Sequence, residues 1–212
     1  MYAKKNSGKK LTVLLLALVL LIGCTIGGTL AWLMDTSNTV TNTFTVGDIT
    51  IELKEHDLKA DGTLDTAEVT EENTYKILPK TEQPKDPFVR FTEDSEACWL
   101  FVKIEEKNNT VKDKDYKYVT YTVDDAWTAL DDVDGVYYMN LTSAGITAGT
   151  DEAVKNILAD KKVTYNENLT KEELAAAATA NPQLIFTAYA VQKEAAETAA
   201  TAWDLVKNNP AN

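Results

Sequence analysis

Cys98-Trp99-Leu100-Phe101-Val102-Lys103-Ile104 alternates apolar side chains along a run of β-forming residues. In an extended strand successive side chains point to opposite faces. Cys98, Leu100, Val102 and Ile104 therefore share one face, while Trp99 and Phe101 stand on the other. Apolar groups on both faces mark a central strand buried on two sides. The alternative is an exposed groove that takes in a strand from another subunit.

Working outward, the remaining apolar segments are also short and β-rich. Phe88 to Phe91 follows Pro84 and Pro87, and Val119 to Val123, Val136 to Met139 and Leu184 to Val191 complete the set. From Phe44 to Leu53 the alternation changes parity, with Phe44 and Val46 on even positions and Ile49, Ile51 and Leu53 on odd ones. One extra residue at Gly47-Asp48 would restore the buried face, so a β-bulge or bend is expected there. Polar turns bearing Asp, Asn, Gly and Pro separate these runs, a pattern that predicts an antiparallel β-sandwich.

Helices enter as additions to that sheet core. Thr150 or Asp151 can cap a helix running to about Ala159. Thr170 with Glu173 three positions on forms a capping box ahead of Leu174 to Ala180, and Asn181-Pro182 stops it. A C-terminal helix over Glu194 to Lys207 places Ala199, Trp203 and Val206 at helical spacing. No internal repeat or long linker breaks the chain, so one domain over 32–212 is expected.

The N-terminal segment has the three-part layout of an export signal. Lys4, Lys5, Lys9 and Lys10 form a positive start, Leu11 to Ile22 is uncharged and Leu-rich, and Gly27-Gly28-Thr29-Leu30-Ala31 supplies small residues for cleavage. The apolar run is short for a spanning helix, which needs about 20 residues. Residues 1–31 are thus expected to be a signal helix, with the protein secreted. A competing reading takes Leu21-Ile22-Gly23-Cys24 as a lipobox, in which Cys24 would be lipidated and become the new N-terminus.

The whole chain of 212 residues has 33 acidic against 21 basic residues, a formal charge of −12. Four of the lysines lie in the signal segment, so the remainder is more acidic still. Such a balance argues against nucleic-acid binding, which relies on Lys and Arg to neutralise phosphates. Of the two cysteines, cleavage would leave only Cys98, which reads as a small buried hydrophobe with no disulfide partner.

The junction from Gly27 to Leu53 resembles the TasA/camelysin family of secreted Gram-positive proteins. The matching positions are Gly27, Gly28, Thr29, Ala31, Trp32, Asn42, Phe44 and Gly47. Weaker likeness extends over Tyr75 to Pro79, Lys85 to Val89, Ala97 to Ile104, Trp127, Gly135 to Tyr138, Phe186 to Gln192 and Ala202-Trp203. The Ala-rich segment around 171–180 has no counterpart in the pattern. The resemblance implies a jelly-roll sandwich with short helical insertions, and cleavage between Ala31 and Trp32 by an ER-type signal peptidase (SipW). It also implies a biofilm-matrix fibre that grows head to tail, each subunit completing its neighbour with a freed N-terminal strand. The corresponding donor here is Trp32 to Val46, with apolar Trp32, Leu33, Val40, Phe44 and Val46. Partners would be further copies of the chain and other matrix proteins.

Catalysis is not expected, and neither is a cofactor. The sequence has one histidine, His56, read as a solvated residue at a strand end, whereas a catalytic zinc site takes three protein ligands and often two histidines. Camelysin-like members have been described as metallopeptidases, so that activity stays as the lesser alternative, beside a monomeric cell-surface or adhesion module. Asp124-Asp125 and Asp131-Asp132-Val133-Asp134-Gly135 could offer oxygen ligands to calcium. Aligning Gly135 with the sixth position of an EF-hand loop puts Leu130 first and Leu141 twelfth, where carboxylates are required. A solvated turn is the reading kept.

Overall fold

A computed structural model describes residues 49–71, 73–141 and 146–208. Cys24, Ala31, Trp32, Leu33, Val40, Phe44, Val46 and the expected bend at Gly47-Asp48 lie outside the described residues. The strands are β1 (Ile51–Leu58), β2 (Leu64–Thr70), β3 (Glu82–Pro84), β4 (Phe88–Phe91), β5 (Cys98–Lys107), β6 (Val119–Thr120), β7 (Thr128–Ala129), β8 (Val136–Leu141), β9 (Val154–Asn156), β10 (Lys162–Tyr165) and β11 (Gln183–Gln192). The helices are α1 (Lys171–Ala180) and α2 (Ala199–Val206), with short 3-10 turns at Asp151–Ala153, Ala159–Lys161 and Lys193–Ala195.

Among the described residues every strand pairing is antiparallel, and the strands form three sheets ordered β2-β1-β4-β9, β3-β10-β6 and β11-β5-β8-β7. The all-β class expected from the short alternating runs is what the chain forms. β5 lies between β11 and β8 as the long central strand. Its even face joins Val89 and Phe91 of β4, Met139 of β8 and Val163 and Tyr165 of β10 in one core. Its odd face carries Trp99 and Phe101 into a second core with Val136, Tyr189, Ala199, Ala202 and Trp203. The double-sided pattern is therefore that of a central strand, and the chain's own C-terminal helix covers the second face.

Two helical expectations need correction. Asp151 to Ala159 is not a helix: a 3-10 turn gives way to β9, which pairs with β4 through Arg90↔Val154 to Phe88↔Asn156. Thr150 makes no side-chain cap, and sheet pairing satisfies the backbone groups that a helix would have used. The C-terminal helix begins at Ala199 rather than Glu194. Thr198 and Thr201 form a capping box there, each hydroxyl accepting from the other's backbone N–H at 3.2 Å. The box at Thr170 and Glu173 forms as expected, and Asn181 ends α1 in a left-handed conformation (φ 52°).

Candidate functional site

β1 lays out the site. Its odd residues Ile51 and Leu53 face the core, opposite Phe91 and Val89 of β4. The same parity carries Glu55 inward, where the residue is 6% exposed. Burying a carboxylate is costly unless it is paired and hydrogen-bonded. Lys85 supplies the pair, its Nζ donating to Glu55 Oε2 at 2.7 Å with side chains 11% and 8% exposed.

Lys85 arrives from the segment between β3 and β4, where its backbone N–H donates to Lys161 O at 2.8 Å. Its ammonium lies 4.7 Å from the ring centroid of Tyr75 and 5.5 Å from that of Phe186. Such cation–π contacts strengthen when desolvated. The Tyr75 hydroxyl reaches Glu55 Oε2 at 3.4 Å. Burial, then the Glu55 charge, push Tyr75 ionisation far above the usual tyrosine range, so the phenol stays protonated. Removing one member of the Glu55–Lys85 pair would leave a buried charge, at a cost of about 3–5 kcal/mol.

The next residue on each side makes a second pair. Continuing the β1–β4 register beyond Lys54↔Phe88 sets His56 opposite Asp86. His56 Nδ1 lies 2.6 Å from Asp86 Oδ2, and the His56 backbone N–H donates to Asp86 Oδ1 at 3.1 Å. Asp86 is 2% exposed, and the imidazole also leans on Phe88 with centroids 5.2 Å apart. His56 is thus an integral residue of β1 rather than a solvated strand end.

Beside this floor opens a cleft of about 950 Å³. Leu53 and Glu55 of β1, Leu184 and Phe186 of β11, Ile77 and Leu174 line it. β1 and β11 belong to different sheets but approach within 8 Å between Cα atoms. Among the described strands, β2 pairs with β1 only from Glu55 onward, leaving the second edge of 51–54 without a strand. β11 is the last strand in its sheet, and among the described strands only β5 pairs with it. Two strand edges therefore border one partly apolar cleft.

The other sequence candidates are placed singly. Cys98 is fully buried, and burial pushes its thiol up to about 11. Asp131, Asp132 and Asp134 are exposed in the turn before β8. Among the described residues no group of three or more His, Cys, Asp or Glu side chains is placed to hold a metal ion. The sequence signals the Glu55–Lys85 floor only through the Ile51, Leu53, Glu55 spacing, which sets Glu55 on the inward face. Compared with protein-family models, curated proteins and solved structures, the chain matches none.

Proposed function

We propose that this protein is a secreted structural subunit of an extracellular fibre, related to the TasA/camelysin group and built as a jelly-roll variant. Cleavage after Ala31 frees the segment beginning at Trp32. That segment, through Val46, adds as a strand at the cleft lined by β1 and β11 of the next copy. The observation that carries the reading is the cleft itself, bordered by the 51–54 edge and the outer edge of β11.

Apolar Leu53, Leu184 and Phe186 in its walls suit the alternate apolar side chains of the donor, and the strand edges offer main-chain hydrogen bonds. Head-to-tail insertion is a heterologous contact that does not close on itself, so it grows filaments. An uncleaved precursor would keep the donor tethered at the membrane, making cleavage the licence to assemble. No catalytic role is assigned, and no cofactor is required.

Deleting Trp32 to Thr43 from the secreted form should leave monomers under conditions in which the chain starting at Trp32 forms filaments by negative-stain electron microscopy. Undiminished filaments after the deletion would overturn the proposal. Persistent monomers of both forms would favour a monomeric surface module.

A further inference from the structure

We propose that Lys85 and Glu55 condense into an intramolecular amide, joining Nζ to Cδ with release of one water. This does not rest on the assembly reading. The starting geometry is a contact of 2.7 Å between two nearly buried side chains. Asp86, the neighbouring buried carboxylate, is engaged by His56, so Glu55 is the carboxylate partner of Lys85. The other neighbours of the ammonium are the rings of Tyr75 and Phe186. These rings attract the cation but cannot take its proton.

Hydration is what normally holds an ammonium and a carboxylate apart as ions in water. Burial removes most of that hydration and leaves a desolvation cost that the pair's attraction must offset. Condensation abolishes both charges and with them that cost. The reacting groups are also held in register: Glu55 pairs with Thr70 across β1 and β2, and the Lys85 backbone is tied to Lys161. Fixing two reactants at contact distance replaces an encounter in solution with a step inside one molecule.

The atoms balance without an added reagent. A proton crosses the contact from Nζ to Oε2, giving a neutral amine and a neutral carboxyl. The amine lone pair then attacks Cδ and the N–C bond forms. A second nitrogen proton moves to the departing hydroxyl, the C–O bond breaks, and water leaves through the adjoining cleft. Ammonium and carboxylate thus become amide and water, with no change of redox state. The Tyr75 hydroxyl, 3.4 Å from Oε2 and protonated, is placed to hydrogen-bond Oε2 as that oxygen departs with water.

The product would close a covalent loop from β1 to the segment entering β4, enclosing β2 and β3. Tying distant points of a chain removes conformational freedom from its unfolded state. Here the tie needs no cysteine, and Cys98 is the only cysteine among the described residues.

The test is the intact mass of the purified full chain, measured under denaturing and reducing conditions and compared with the mass calculated from its own N-terminus. The expected result is a deficit of one water. A digest should yield one branched peptide joining the Glu55 and Lys85 segments. Lys85→Arg keeps the charge but offers no amine of the right reach, and should restore the full mass. A wild-type chain at full sequence mass would overturn the proposal, as would a water loss that persists in Lys85→Arg or maps to a cyclised aspartate. The wild-type mass decides the matter even if the variant folds poorly.

Discussion

Phe101 and Trp203 face each other with ring centroids 5.5 Å apart, across the gap between the central strand β5 and the C-terminal helix α2. Tyr189 of β11 meets the same indole edge-on at 5.1 Å. Trp99 beside them donates from Nε1 to Ala196 O at 3.0 Å, under the Lys193 ammonium. The outer face of β5 is thereby filled by the chain itself. Under the proposed assembly a strand from another copy would add at the cleft beside β11, where among the described residues strand edges have no neighbouring strand.

Trp203→Ala should therefore destabilise the protein by about 3–5 kcal/mol, the range for emptying a buried aromatic site. Urea unfolding followed by circular dichroism would read this as a lower midpoint. A change within about 0.5 kcal/mol would mean that α2 does not seal the second core.

Cys98 should be inert in the native state. It is 0% exposed and its thiol is pushed up to about 11 by burial, so little thiolate is present at pH 8. A thiol reagent added to the Cys24→Ser chain should react only after denaturant is supplied. Stoichiometric labelling of the folded chain at pH 8 would contradict the burial.

Gly135 should not tolerate alanine. Its φ is +72°, and a Cβ there would sit 2.5 Å from the Ile104 carbonyl oxygen. Ile104 also donates its N–H to Gly135 O at 2.8 Å, so the two backbones cannot part without losing that bond. Gly135→Ala should cost about 2 kcal/mol or more through left-handed strain and the clash. An unchanged denaturation midpoint would show that the turn has room to relax.

Glu106 gives an acid-side prediction with a definite sign. Burial pushes its carboxyl up, but hydrogen bonds from Lys117, Asn109 and Tyr121 outweigh that and hold it below its ordinary value of 4.5. Lys117 Nζ and Asn109 Nδ2 stand 2.7 and 2.8 Å from its oxygens. A depressed carboxyl adds stability that is fully present above the unfolded value and is lost as pH falls through the folded one. Glu106→Gln should therefore lower stability at pH 7 and flatten its decline below pH 4.5. A parallel decline in both proteins would contradict this role.

How far the sequence reveals this molecule follows from how local each signal is. Cys98 to Ile104 reads as a central strand because its alternation is complete on both faces. β2, Leu-Asp-Thr-Ala-Glu-Val-Thr, escapes notice because it is a largely exposed edge strand whose place is set by pairing with β1. β9 reads as helix because Val154 to Asn156 has no strong pattern of its own, and only the neighbouring β4 draws it into a sheet. Glu55 is legible as an inward position from Ile51 and Leu53. Its partner Lys85 is not, because 30 residues separate them and the approach is fixed by tertiary packing. His56 looks solvated in a run of charged residues until the register brings Asp86 opposite.

Strand exchange between copies is tested most directly by photocross-linking in assembled material. A photoreactive residue placed at position 44 in one population would be mixed with an isotope-labelled second population, assembled from the form starting at Trp32. Cross-links are expected from position 44 of one copy to Leu53, Leu184 or Phe186 of the differently labelled copy. Cross-links confined to a single copy, or falling away from that cleft, would contradict it.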